Sequence, residues 1–320
     1  MLKEKLFCPA QKKKILVLGD MMLDSYINGE ALRISPEAPV PVVAMRNQYS
    51  VLGGAANVAR NLAVWNVDTF VFGILGDDEK GHNVCKLLEK YNIHFDKKYL
   101  RQSCNTITKV RVIATNQHVC RIDIEDNPAN YAPSDEMIEN FLDEIPSCDA
   151  VIISDYAKGF LTEKFIQAII DKCNALNKIC AIDPKPRRML AFKNPYLLKP
   201  NRKEALELAE ITENAFDKFP TELVCRRIYE KFSPQNLVIT MGAEGMILVQ
   251  DGKITSICPA QKASVYDVSG AGDTVVAMLT LALSSGFTLS QSAQIASKAA
   301  AIVIGKFGTS QAEISEICEE

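Results

Sequence analysis

A chain of 320 residues is too long for one small core and suits one large α/β domain or two modest ones. Nearly half of the residues are hydrophobic and 23% are charged, the balance of a globular protein, and no apolar stretch approaches membrane-spanning length. The net charge of −3 argues against a polyanion-binding surface, and the one basic run, Lys12-Lys13-Lys14, leads into an apolar strand.

In chain order, a strand "ILVLG" (15–19) is followed by a proline-punctuated stretch over 24–51 with no helical period. A helix over 54–65 and an apolar strand over 69–76 come next, then a helix over 79–91. Residues 104–124 alternate like exposed strands about a turn near Asn116. Beyond them, strands over 149–154, 179–183, 196–199, 237–240 and 246–250 interleave with helices over 135–144, 162–176, 202–210 and 220–232. Two further helices, over 273–285 and 290–304, complete the pattern. Apolar strands bracketed by helices predict an α/β fold with a mostly parallel sheet covered on both faces. The segments 24–51 and 104–124 read either as a small second sheet over one edge of the main domain or as surface hairpins without a role.

Ten cysteines form no C-x-x-C pair, and His82, His94 and His118 do not cluster with them. Reduced thiols in a cytoplasmic protein are expected, not a zinc site or a disulfide framework. Lys3 and Lys5 are followed by no apolar core of a signal segment.

Chemistry concentrates where strands end and helices begin, the ligand-binding edge of open α/β sheets. "SGAGD" (269–273) sets Gly270, Ala271 and Gly272 ahead of an apolar helix, where backbone N–H groups can hold an anion. Asp273 is then either a capping carboxylate or a proton acceptor beside that anion. "TMGAEG" places Thr240, Gly242 and Gly245 after a strand, either as a plain turn or as a nucleotide contact. Asn201 and Glu204, three apart, fit a capping box or a pair that orients metal-bound waters. Gly53, Gly54 and Asn57 precede a helix and would admit a polar substrate, while Asp20 and Asp24 after the first strand suit sugar hydroxyls or solvent.

These pieces together resemble the ribokinase-like (PfkB) family of sugar and nucleoside kinases, over essentially the whole chain. The resemblance rests on Gly53-Gly54 with Asn57, on Asn201 with Glu204, on "TMGAEG" and on the late Asp267-to-Asp273 motif. Within the family, "GDMMLDSYINGEALRISPEAPVPVV" and "DPKP" are similar to the group that acts on D-glycero-β-D-manno-heptose 7-phosphate. Met22 stands where ribokinases commonly carry an asparagine, which argues against ribose. The chain ends at Glu320 without a second nucleotide motif such as H-x-G-H, so a single-function kinase is expected.

The resemblance implies one kinase domain with a β lid from 24–51 and 104–124 that closes over the sugar and dimerises. It implies ATP with Mg²⁺, the latter held mainly through water and phosphates, and transfer of the γ-phosphoryl group to O1. Asp273 becomes the expected base, Gly270, Ala271 and Gly272 the anion hole, and Asn201, Glu204, Thr240, Gly242 and Gly245 the ATP contacts. Asp24, Asp20, Gly53, Gly54 and Asn57 would meet the sugar, and Lys185, Lys109, Arg111, Arg121 and Arg33 are the candidates for its phosphate. Lys185 follows a strand end, as the other site residues do. Asp267 and Ser269 are candidates for a potassium ion. The rivals are a kinase for fructose 1-phosphate or tagatose 6-phosphate and a non-catalytic binding protein of the same fold. A Rossmann dehydrogenase is weaker, because no G-x-G-x-x-G follows the first strand.

Overall fold

The computed structural model describes residues 12–115, 117–186, 190–212, 218–306 and 308–318. The N-terminal part holds β1 (Lys14–Gly19), β2 (Met21–Ile34), β3 (Pro41–Gly54), α1 (Ala55–Val64), β4 (Asp68–Phe72), β5 (Leu75–Gly76) and α2 (Glu79–Lys90). The middle adds β6 (Leu100–Arg101), β7 (Thr108–Ala114), β8 (Gln117–Ile124), α3 (Asp135–Glu144), β9 (Ala150–Ser154), α4 (Glu163–Ala175) and β10 (Ile179–Asp183). Then come β11 (Leu197–Leu198), α5 (Arg202–Leu208), α6 (Thr221–Phe232), β12 (Asn236–Thr240), β13 (Met246–Gln250) and β14 (Lys253–Cys258). The chain closes with α7 (Ala271–Ser284), α8 (Leu289–Ile304) and α9 (Ile314–Cys318).

Eight strands form the main sheet in the order β14-β13-β12-β11-β10-β9-β1-β4. Its pairs are parallel from β4 to β12 and antiparallel across β13 and β14. Side chains of a strand alternate between faces, and β1 shows the result. Ile15 and Val17 join the core under α1, α7 and α8, whereas Leu16 and Leu18 join the core under α3, α4 and α6. All four are fully buried, each worth about 1.5–3 kcal/mol on leaving water. No helix among the described residues is long and apolar enough to cross a membrane.

The two irregular segments pair with each other in a four-stranded sheet, β3-β2-β7-β8. Its strand β2 leaves the main sheet with only Asp20 between it and β1, and β3 runs straight into α1. Register puts Asp24 opposite Lys109, Tyr26 opposite Arg111, Arg111 opposite Arg121, and Lys109 opposite Asp123. Directly opposed residues share a face, so this charged set looks in one direction.

Several expected boundaries moved for physical reasons. The strand expected over 69–76 is broken at Gly73, where a Cβ would lie 2.7 Å from the Gly19 carbonyl oxygen. Strand β14 was not expected, because most of its side chains are exposed and its pattern carries little apolar signal. The turn expected near Asn116 lies outside the described residues, as do Lys3 and Lys5. At the far end of the chain, Trp65 Nε1 donates to the Ala312 carbonyl at 2.7 Å and Arg60 donates to that of Thr309. Both bonds pin the segment 308–312 against α1.

Candidate active site

Helix α7 starts from Gly270, whose φ of 82° is a left-handed conformation open to glycine at little cost. Space is as restrictive as conformation. A Cβ there would lie 2.8 Å from the Thr309 methyl and 3.1 Å from Asn57 Nδ2. Gly270→Ala is therefore expected to destabilise the protein by about 1–3 kcal/mol, from left-handed strain plus overpacking. Urea unfolding of the variant reads that loss directly. The Ala271 amide closes the turn with a long bond to Val268 O, 3.3 Å, and Asp267 accepts the Ser269 amide at 2.9 Å. The Gly272 position lies beside an ammonium: Lys199 Nζ is 3.8 Å from where its Cβ would be.

One turn further, Asp273 is 5% exposed, and both carboxylate oxygens are engaged. Asn57 Nδ2 donates to Oδ2 at 2.7 Å, and the Tyr156 hydroxyl donates to Oδ1 at 2.7 Å. Burial raises the Asp273 carboxyl above its ordinary range, while these two bonds and Lys199 pull it back. The amide oxygen of Asn57, Oδ1, is buried without a hydrogen-bond partner, an acceptor suited to a hydroxyl.

Across from this turn, Asp24 is buried and pairs with Arg111 at 2.7 Å. Gly53 lies against it, since a Cβ there would come within 2.8 Å of Asp24 Oδ2. Arg111 also covers the Tyr26 ring at 5.3 Å, and Tyr26 stacks on Tyr49 and bonds Thr309 Oγ1. Lys109 Nζ lies 4.9 Å from the Tyr156 ring centre, and burial lowers its pKa. The structure thus gathers Asp24, Gly53, Gly54, Asn57, Lys109 and Arg111 around Asp273.

Four expected substrate residues are placed elsewhere in role or position. Asp20 is 2% exposed, and its carboxylate accepts the amides of Tyr156, Lys158 and Phe160, so it holds that loop instead of facing a sugar. Arg33 is exposed at the far end of β2, about 30 Å along the strand from Asp24, out of reach of the site within one chain. Lys185 binds Glu204 Oε1 at 2.7 Å, which puts it with α5 and not with Lys109 and Arg111. Arg121 shares the face of Arg111 but is exposed and held in a two-bond pair by Asp123.

The second half of the edge is built around α5. Asn201 and Glu204 form a reciprocal capping box: Asn201 Oδ1 accepts the Glu204 amide and Glu204 Oε2 accepts the Asn201 amide. Asn201 bridges to Thr240 at the end of β12. Gly242, at φ 60°, faces open space, whereas a Cβ on Gly245 would meet the Cys258 carbonyl oxygen at 2.1 Å. Gly245 is thus fixed by packing, and Gly242 leaves room for a ligand to approach the backbone.

Between the two halves sits a pair not selected from the sequence, although its acid, Asp183, opens the "DPKP" stretch. Lys199 Nζ, nearly fully buried, binds Asp183 at 2.9 Å. Burial, with Glu204 and Asp273 nearby, raises the Asp183 carboxyl to about 7 although Lys199 opposes the shift. Tyr156, likewise unselected, is brought in by the Asp20 contacts from a loop after β9. Only the polar "SDYAKG" at a strand end could have flagged it. Among the described residues no group of three or more His, Cys, Asp or Glu side chains could cage a metal. Acid crowding around Asp183, Glu204 and Asp273 instead fits a divalent cation that arrives on phosphate and meets protein through water.

The pfkB family carbohydrate kinase model matches residues 12–316. The chain is 36% identical over 307 residues to the "Bifunctional protein HldE" of Sulfurimonas denitrificans, covering 96% of this chain and 64% of that protein. It is 39% identical over 308 residues to the protein of the same name from Wolinella succinogenes, covering 95% and 64%. It therefore spans just under two thirds of the length of these relatives. Arabidopsis thaliana ribokinase, solved with ribose and ATP, superimposes with a TM-score of 0.75 at 18% identity over 97% of this chain and 98% of that one, a likeness of fold.

Proposed function

The chain belongs to the pfkB family of carbohydrate kinases, and from that membership we propose that it phosphorylates D-glycero-β-D-manno-heptose 7-phosphate at O1 with ATP. The observation that carries the reading is the Asp273 carboxylate, buried at the start of α7 between Asn57 and Tyr156 and facing the Asp24–Arg111 group. The product would be a 1,7-bisphosphate, a step toward ADP-heptose for the lipopolysaccharide core, made in the cytoplasm. Relatives of 36–39% identity named HldE support the sugar.

In this reading Asp24 and Asn57 hold the sugar, with Gly53 and Gly54 letting the backbone approach it. Asp273 is too weak a base to ionise the O1 hydroxyl beforehand, so it accepts the proton as the O–P bond forms. The first-turn amides at Gly270, Ala271 and Gly272, with Lys199 beside them, take up charge developing on the transferred phosphoryl group. Asn201, Glu204, Thr240 and Gly242 line the ATP side, with Gly245 shaping the turn from behind and Asn201 and Glu204 positioned toward magnesium-bound water. Mg²⁺, when bound with ATP, neutralises phosphate charge. The four-stranded sheet acts as the lid, and its exposed Leu32, Ile34 and Met45 favour a homodimer through it.

The 7-phosphate is assigned to Lys109 and Arg111, displacing Lys185. Lys109→Met is expected to raise KM for the sugar phosphate by about 10- to 100-fold, the loss of a charge-assisted contact, with KM for ATP unchanged. Steady-state kinetics varied in each substrate separates the two effects. The reading as a whole is tested by ADP release with heptose 7-phosphate, fructose 1-phosphate and tagatose 6-phosphate. Preference for either of the last two overturns the heptose assignment, and no sugar-dependent ADP with any of them overturns the kinase reading.

A further inference from the structure

Asp273 has two donors, and they differ in kind. Asn57 comes from α1, directly after the Gly53-Gly54 turn, and also carries the unpartnered Oδ1 that suits a hydroxyl. Tyr156 contributes only its phenol, through a ring wedged between the base and the lid, with Lys109 Nζ over the ring. Its loop is suspended from Asp20 by the amides of Tyr156, Lys158 and Phe160. Ala157 takes a left-handed φ of 58° within that loop, with its amide on Asp155 at 2.8 Å. A buried carboxylate, a strained residue and a lid cation all converge on holding one hydroxyl 2.7 Å from Asp273 Oδ1.

We propose that Tyr156 is a positioning residue for phosphoryl transfer: its hydroxyl fixes the rotamer of Asp273 and keeps the carboxylate ionised until the attacking hydroxyl gives up its proton. The proposal rests on the kinase reading above. Burial drives the Tyr156 phenol well above its ordinary value, so it is a permanent donor and does not compete as a base. A donor on a carboxylate stabilises the ionised form, so removing it raises the Asp273 pKa. Activity needs the ionised form, and its acid limb then moves to higher pH. The other groups facing Asp273 are Asn57 and Arg60 on α1, Asp24 on β2, Lys109 on β7, Asp183 ending β10, and Lys199 after β11. None of them is altered by changing the tyrosine.

The test uses the full chain with ATP and heptose 7-phosphate. Tyr156→Phe is expected to lower kcat by about 10- to 100-fold, the worth of a hydrogen bond to a charged group, with both KM values within about twofold. Its acid limb moves to higher pH, and the ¹³C titration of the Asp273 carboxyl, followed without substrate, moves the same way. Replacing Tyr156 by 2,3-difluorotyrosine, a stronger donor of nearly the same shape, moves both midpoints to lower pH and keeps a folded protein in hand. An Asp273 midpoint that stays put in both variants overturns the proposal, as does a KM for the sugar that rises as much as kcat falls. Asp273→Asn run alongside tests the parent reading: full turnover there overturns the base assignment, whereas the carboxyl titration still reads the tyrosine.

Discussion

Asp273→Asn is expected to lower kcat by about 10²- to 10⁴-fold while KM for ATP and for the sugar phosphate stays within about threefold. The amide keeps the volume of the carboxyl but, in the proposed reaction, cannot accept the proton of the attacking hydroxyl. Geometry adds a second loss. Asn57 Nδ2 and the Tyr156 hydroxyl both donate to Asp273 now, and an amide offers one oxygen and one NH₂ in place of two acceptors. The new NH₂ faces the Tyr156 hydroxyl, which must turn to accept it, so a stability loss of about 1 kcal/mol is expected from trading charge-assisted bonds for neutral ones. The pH profile separates this from simple misfolding. In the wild type the base must be ionised, so kcat falls as pH drops through the raised Asp273 pKa. The variant loses that limb and is uniformly slow. Turnover near the wild-type value would show that another group accepts the proton.

Lys199→Met is the second large effect. The side chain is nearly fully buried, binds Asp183 at 2.9 Å and lies beside the Gly272 position. If Lys199 meets the transferred phosphoryl group as proposed, its loss is expected to cost about 3–4 kcal/mol of transition-state stabilisation, a fall of roughly 10²- to 10³-fold in kcat/KM. Breaking a buried pair often destabilises by about 3–5 kcal/mol, because one charge is left without its partner. Here Asp183 has a way out. Its carboxyl is already raised to about 7, and without Lys199 it rises further and takes up a proton. A raised carboxyl contributes stability that is present below the ordinary carboxylate pKa and lost as pH rises through the folded value. The destabilisation by Lys199→Met should therefore be smaller at pH 6 than at pH 8.5, which urea unfolding at the two pH values measures. Equal losses at both would mean that Asp183 stays charged in the variant.

How far the sequence alone could lead depended on whether a residue's neighbours were local. Strands such as β1, β10 and β13 were legible to within a residue, because short continuous apolar runs bounded by turn residues suit buried strands. The second sheet was legible as one of two readings of the segments 24–51 and 104–124, but its register was not, since β2 and β7 lie far apart in the chain. Glycine turns read well because left-handed conformation is a local property, as at Gly270. Tyr156 and Lys199 read poorly for the opposite reason. A tyrosine and a lysine are ordinary residues, and what singles out Tyr156 is a contact with Asp273, 117 positions away. Asp20 and Lys185 show the same limit in reverse. Each stands where a ligand contact is expected, and backbone amides or Glu204 have taken its polar atoms first.

The bond from Trp65 to Ala312 joins residues 247 positions apart and closes most of the chain into one loop. Such long closures come late in folding, because their entropic cost must be met before any local gain rewards it. The Asn57–Asp273 bond spans 216 positions and belongs to the same closure. Since the protein has a single tryptophan, its emission is a built-in optical clock for that event. In refolding, recovery of activity should run in step with Trp65 burial and lag the appearance of helix signal in the far ultraviolet.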